Sequence, residues 1–192
     1  ASWPSYLSLH AQIISVGGIL IFGFITSWIF GREYADKTAK DLLALPYSRS
    51  IIVVAKFIAA FITNFILSAY IVSLGLLIGL IIGLPQWSST ILTQGLYVLV
   101  IATILTIALC TPVAFFASYS GGYLAPLGFV IFTLVLSQII AAAGFGNYFP
   151  WSIPAIYSGI TEGESAIGWN SLFIIFVTSL VGFFSTLYWW LF

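Results

Sequence analysis

Long apolar runs separated by short polar connections make up most of the chain. Such runs cover residues 12–30, 51–84, 91–116, 123–143 and 169–192. Each is long enough to cross a hydrocarbon layer of about 30 Å as a helix rising about 1.5 Å per residue. The pattern predicts an all-α polytopic membrane protein with five transmembrane helices, in which residues 1–192 form a single transmembrane domain.

Charge is concentrated in one part of the chain. The stretch from Gly31 to Lys56 holds all five Lys and Arg residues and three of the five acids. Short loops rich in Lys and Arg stay on the cytoplasmic side, so we expect the loop of residues 31–50 inside. Lys56 is expected to extend back to the inner interface. Because successive spans cross the membrane in alternate directions, residue 1 is then expected outside. This predicts one more helix before residue 1, and six in the full chain.

Residues 33–45 have the pattern of an amphipathic helix. At 100° per residue the apolar half carries Tyr34, Thr38, Leu42, Leu43 and Leu45, and the other half carries the charged residues Glu33, Asp36, Lys37, Lys40 and Asp41. Pro46 should end this helix, and Ser48 or Ser50 can cap the next one. Two interpretations follow: a helix that rests on lipid headgroups, or a docking element for a cytoplasmic partner.

Small residues and a proline mark two positions inside the apolar runs. Gly75, Gly79 and Gly83 stand four residues apart, which is typical of a helix-packing or dimer face, although glycine is also common in membrane helices generally. In the third run Thr111 precedes Pro112, where a hydroxyl can satisfy the carbonyl that a proline leaves free.

Two of the stretches expected on the outer side are irregular and aromatic. Residues 1–11, which include Trp3 and His10, are expected at the outer interface before the first crossing starts at Gln12. Residues 144–168 carry too much apolar surface for a free loop, so they predict a short helical hairpin half-submerged in the outer leaflet. The residues assigned to this outer segment are Phe149, Pro150, Trp151, Pro154 and Tyr157.

Composition excludes several functions. The chain is 61% hydrophobic and 5% charged with a net charge of zero, so nucleic acid is not an expected partner. The lone Cys110 is expected to be a small buried packing residue. No ionisable pair for ion coupling, no hydrolase motif and no phosphate-binding loop occurs, so we expect neither a catalytic residue nor a metal. Any work that the protein performs needs energy from a partner.

Two runs resemble a known family. FGREYADKTAKDLLALPYSRSIIVVAKF, around the charged loop, and FPWSIPAIYSG, at residues 149–159, resemble the permease subunits of ABC-2 type exporters, in the group with bacitracin-resistance and lantibiotic-immunity permeases. The resemblance implies a coupling helix at residues 33–45 that docks on a separate ATPase. The coupling residues that it implies are Glu33, Tyr34, Thr38, Leu42, Leu43, Leu45 and Arg49.

The resemblance also implies partners and a location. Two ABC ATPase subunits, which carry ATP and magnesium, and a second permease, identical or related, would join this chain in a bacterial plasma membrane. The expected function is export of an amphipathic peptide antibiotic or a similar lipophilic substrate. The alternative is a non-transporting scaffold or sensor that recruits a cytoplasmic partner through the loop of residues 31–50. A membrane-embedded enzyme is disfavoured because the residue sets for catalysis are absent.

Overall fold

Five long helical spans form the framework of the part of the chain that the structure describes. The computed structural model describes residues 2–38, 46–159 and 168–192. Within these ranges, the helices long and apolar enough to cross a membrane are the first span Trp3–Ala35, the second span Arg49–Ile82, the third span Ser89–Ser120, the fourth span Leu124–Ala142 and the fifth span Trp169–Leu191. The remaining described elements are also helical, which confirms the predicted fold class. The sixth helix, before residue 1, stays a prediction.

The first span starts nine residues before the predicted position, at Trp3 instead of Gln12. Trp3, Leu7 and Ala11 are buried on one helical face, and a π-helical turn at Ile13–Gly17 joins this part to the helix Gly18–Ala35. The segment is therefore helical and continuous with the crossing helix, and its place at the outer interface stays a prediction. Polar side chains lie between the buried positions of this part of the first span, so the apolar periodicity of a helix is not apparent in its sequence.

Contacts at the two ends of the bundle agree with the prediction that successive spans run in alternate directions. At one end the Trp3 N–H donates to the Pro85 carbonyl at 3.2 Å, and the Trp3 and Trp87 rings lie 4.8 Å apart. At the other end the Trp28 ring lies 5.0 Å from the Tyr123 ring, and Gly31 packs on Gly122. The charged loop and the turn at residues 120–123 thus share one end, which we call the inner end.

The predicted glycine face is only partly a packing surface. Gly75 packs against the His10 ring, and a Cβ on Gly79 would lie 2.7 Å from the Trp3 ring. Both glycines are covered by the first span of the same chain, so they are not free to form a dimer face. Gly83 does not belong to this face. It ends the second span with φ of 68° and has nothing within 4 Å, a conformation that favours glycine.

The third span is interrupted just before Thr111 and Pro112. Its helices Ser89–Ala108 and Thr111–Ser120 meet at a break before Pro112. The hydroxyls of Thr111 and Ser179 both donate to the Ala108 carbonyl, at 2.9 and 3.0 Å. The prediction that a hydroxyl bonds to the carbonyl left free by Pro112 is confirmed. The Ser179 hydroxyl, from the fifth span, is a second donor to it.

The outer segment is the set of short turns before the fifth span. It consists of the 3-10 turns Gly146–Tyr148 and Pro150–Ser152 and the helix Ile153–Tyr157. The Ser152 hydroxyl donates to the Gly146 carbonyl at 2.6 Å and to the Phe149 carbonyl at 2.8 Å. Burial, and secondarily the nearby Tyr97, raise the pKa of Tyr157, so its hydroxyl remains protonated.

Of the five residues assigned to the outer segment, Pro154 is buried and Phe149, Pro150, Trp151 and Tyr157 are half-buried. The Trp151 ring lies 5.6 Å from the Phe129 ring of the fourth span, and the Ser8 hydroxyl of the first span donates to the Ser158 carbonyl at 3.4 Å. The segment is therefore folded onto the helices at the outer end.

Substitution of Gly182 tests the packing at the break in the third span. A Cβ at Gly182 would lie 2.6 Å from the Thr111 carbonyl carbon and 2.8 Å from Pro112 Cα. Because backbone cannot move aside as a flexible side chain does, we expect Gly182→Ala to lower the free energy of unfolding by about 1–3 kcal/mol. Thermal unfolding of the purified protein in detergent measures the change.

Gly128→Ala is the matched control, because Gly128 is also helical and nothing lies within 4 Å of its Cβ position. This variant should be neutral or slightly stabilising, by up to about 1 kcal/mol. Equal effects of the two substitutions would contradict the close approach of the third and fifth spans.

Candidate functional site

The charged loop begins inside the first span, not on a separate helix. Glu33 and Tyr34 lie on the last turn of the helix Gly18–Ala35. Lys37 follows with φ of 60°, a left-handed conformation that interrupts an α-helix. The prediction of one continuous helix over residues 33–45 is therefore wrong at its start. Residues 39–45, with Leu42, Leu43 and Leu45, lie outside the described residues.

Lys56 is the central charge at the inner end. Only 8% of it is exposed. Its Nζ donates to the Ile29 carbonyl at 2.6 Å and forms an ion pair with Glu33. The prediction that Lys56 extends to the membrane interface is wrong, because its side chain turns toward the first span. A buried ammonium needs such a partner, since its desolvation costs several kcal/mol.

Aromatic rings surround this ammonium. The Lys56 Nζ lies 5.5 Å from the centre of the Phe30 ring and 5.3 Å from the centre of the Trp190 ring, within the range of a cation–π interaction. The Trp190 indole N–H donates to the Ser118 hydroxyl at 2.9 Å. The ion pair is thus connected to the fifth and third spans through a single tryptophan.

Arg49 connects the other end of the loop to the fifth span. Its guanidinium donates to the carbonyls of Trp190 and Leu191, both at 3.4 Å. These carbonyls belong to the last turn of a helix, where the backbone has no acceptor partners of its own and a positive charge is favourable. We call Glu33, Arg49, Lys56, Ser118 and Trp190 the inner cluster.

The inner cluster joins both ends of the charged loop to the bundle. Glu33 precedes the loop on the first span, while Arg49 and Lys56 follow it on the second. Glu33 and Lys56 pair with each other across the first and second spans. Arg49 bonds to the Trp190 carbonyl of the fifth span, and Lys56 also lies over the Trp190 ring. These contacts link the two ends of the loop to the first, second, third and fifth spans. The geometry suits transmission of movement, and its side chains do not form a catalytic set.

Comparison with known proteins identifies the type of molecule. The family model described as "ABC-2 family transporter protein" matches residues 4–138, which is more than half of the chain. The chain belongs to the ABC-2 transporter family. It is also similar to the bacitracin transport permease protein BCRB of Bacillus licheniformis, with 28% identity over 148 residues, which cover 77% of this chain and 71% of that protein. No solved structure matches the chain.

Membership of the ABC-2 family confirms the resemblance of the charged loop. This ABC-2 chain is a transporter permease subunit and a multi-pass membrane protein, and the family implies association with an ABC ATPase. The residues that perform coupling are a separate question, which the geometry of the inner cluster addresses.

The structure describes four of the seven predicted coupling residues of the ABC-2 permease. Glu33, Tyr34 and Arg49 lie at the inner cluster, where the Tyr34 ring is 5.8 Å from the Trp190 ring in an edge-on arrangement. Thr38 follows the first span, and its N–H donates to the Glu33 carbonyl at 2.9 Å. The other three predicted residues are those outside the described ranges.

Sequence reasoning missed three residues of this site: Lys56, which was expected at the interface, and Ser118 and Trp190. A signal for Lys56 exists: it lies about two turns beyond Arg49 on the same helix, too deep for an unpaired charge. No comparable signal marks Trp190, because several aromatic residues surround it at the end of the chain.

Removal of Glu33 tests the buried ion pair. The side chains of Lys56 and Glu33 are 9% and 26% exposed, so Glu33→Leu leaves an ammonium with little access to water. We expect a loss of about 2 kcal/mol in the free energy of unfolding, measured in detergent. The double variant Glu33→Leu/Lys56→Met should recover most of this loss, because the charge is removed with its partner.

Asp36→Asn is the control for charge alone. Asp36 pairs with Arg32 at 3.2 Å, but these side chains are 53% and 60% exposed. Water screens such a pair, so its loss should change stability by less than about 1 kcal/mol. A double variant as unstable as Glu33→Leu would contradict the role assigned to pairing.

Proposed function

We propose that this chain is the membrane subunit of an ATP-driven exporter in the bacterial plasma membrane. It expels an amphipathic peptide antibiotic or a similar lipophilic molecule. The observation that carries the proposal is the attachment of both ends of the charged loop to the inner cluster, through Glu33, Arg49 and Lys56. A loop held in this way transmits force from a cytoplasmic motor to the spans.

The source of energy follows from the sequence. No phosphate-binding loop of the GxxxxGK[ST] type occurs in the chain, so we place ATP and magnesium on the ABC ATPase. Two ATPase copies and a second permease, identical or related, complete the proposed assembly. Closure of the ATPase pair would push residues 39–45, and the inner cluster would convert this push into tilting of the first, second and fifth spans.

The substrate class rests on two supports. The similar protein from Bacillus licheniformis is described as a bacitracin transport permease, and bacitracin is a peptide antibiotic. In this chain the exposed surfaces of the second and fifth spans are apolar, with exposed Ile62, Ile66 and Phe173 among others, so a lipophilic molecule can approach from the bilayer. We therefore favour extraction from the membrane over uptake of a polar solute.

The apolar leucines of the loop provide the test. Leu42→Asp/Leu43→Asp should release the ATPase from membranes, because charged side chains cannot be buried in a protein–protein contact without partners. The measurement is the amount of ATPase that co-purifies with the full-length permease in mild detergent, together with ATP hydrolysis by the purified sample. We expect at least a tenfold loss of both, from loss of hot-spot contacts worth about 2 kcal/mol or more.

Lys37→Asn is the matched control in the same loop. Lys37 is exposed and has φ of 60°, a conformation that asparagine tolerates. The control should retain the ATPase and its activity. Retention of the ATPase by the leucine variant would contradict docking through this loop. A wild-type permease that purifies with a different regulatory protein would favour the scaffold alternative.

A further inference from the structure

One row of side chains on the first span faces outward and ends in a positive charge. Leu20, Phe24, Trp28 and Arg32 are spaced four residues apart, which places them on one face of the helix Gly18–Ala35. The three apolar side chains are 38–43% exposed, and the side chain of Arg32 is 60% exposed. We call this set the Arg32 row. On a membrane span such an exposed row contacts lipid, and its charge lies at the inner end.

The Arg32 guanidinium is held in place from two sides. Its Nε donates to the Asp36 carboxylate at 3.2 Å, and its central carbon lies 5.6 Å from the centre of the Trp28 ring, within the range of a cation–π interaction. Its two amino nitrogens have no hydrogen-bond partner among the residues that the structure describes. An oriented guanidinium with free amino groups is a suitable donor for a phosphate.

Length and charge specify the occupant. From Leu20 to Arg32 the helix rises about 18 Å, and half of a hydrocarbon core of about 30 Å is about 15 Å. An acyl chain can therefore lie along Leu20 and Phe24 while the headgroup of the same lipid reaches Arg32. Residues 31–56 carry an excess of two positive charges, so the field around Arg32 favours an anion even though Asp36 is close.

We propose that the Arg32 row is a binding site for an anionic phospholipid in the leaflet next to the inner end. The lipid phosphate accepts hydrogen bonds from the two amino groups of Arg32, and one acyl chain lies on Phe24 and Leu20. A zwitterionic phospholipid has the same phosphate, but its own ammonium group offsets the attraction of the charged loop, so it binds more weakly. The site adjoins the last turn of the first span, from which the charged loop starts.

Native mass spectrometry of the full-length permease, without ATPase, tests the site directly. The protein in detergent is titrated with dioleoyl phosphatidylglycerol or with dioleoyl phosphatidylcholine, and the dissociation constant of the first bound lipid is obtained for each. We expect phosphatidylglycerol to bind about fivefold more tightly. Glycerol phosphate, which has the phosphate without acyl chains, should not displace the lipid even in about hundredfold excess, because the chains supply much of the binding.

Four variants separate this site from the charge of the loop as a whole. Arg32→Gln should reduce the preference for phosphatidylglycerol to less than about twofold, and Arg32→Lys, which keeps the charge without the planar fork, should give an intermediate value. Lys37→Asn is the matched control, because it removes the same charge from an exposed position nearby, and it should keep the full preference. Trp28→Leu removes the ring under the guanidinium and should weaken phosphatidylglycerol binding at least about threefold.

Several results would overturn the assignment. Equal affinities of the two lipids for the wild type would do so, as would equal losses in Arg32→Gln and Lys37→Asn, which would show a diffuse effect of the loop charge. Displacement by glycerol phosphate would show a site for free phosphate. If Arg32→Gln releases the ATPase and leaves both lipid affinities unchanged, the guanidinium binds the partner protein instead. Because the titration contains no ATPase, failure of the proposed exporter function would leave its result unaffected.

Discussion

The buried pair of Lys56 and Glu33 is the interaction on which the inner half of the molecule depends. An ammonium two turns inside an apolar helix is unfavourable unless a carboxylate and a carbonyl meet it. Glu33 and the Ile29 carbonyl do so, and this fixes how the second span is rotated against the first. The same rotation places the ammonium near the Trp190 ring. One requirement for pairing thus determines the contacts of three helices.

Close backbone approach holds the rest of the bundle together. Lipid tails are as apolar as the side chains, so association of membrane helices depends on packing and hydrogen bonds. Gly31 against Gly122, Gly79 against Trp3 and Gly182 against Pro112 provide the first kind of contact. The shared Ala108 carbonyl provides the second. Of these contacts, Gly182 against Pro112 and the Ser179 bond to the Ala108 carbonyl join the fifth span to the third.

The long apolar helices of the described residues could be predicted from the sequence, because apolar length is a local property. The side-chain partners could not. Lys56 pairs with a residue on another helix, and its partner depends on a rotation that no local pattern records. Trp3 and His10 pack on Gly79 and Gly75 of the second span, contacts between helices that the sequence pattern does not record. Gly83 shared the spacing of Gly75 and Gly79 but occupies the end of a helix.

The central claim is that the start of the charged loop and the end of the fifth span form one rigid unit. The most direct measurement is the distance distribution between spin labels on Thr38 and Tyr188, which are both exposed, in a Cys110→Ala background by electron paramagnetic resonance. The account predicts one narrow distribution that keeps its width when the ATPase partner binds ATP. A broad distribution, or one that splits on ATP binding, would show that the loop moves independently of the spans and would contradict the account.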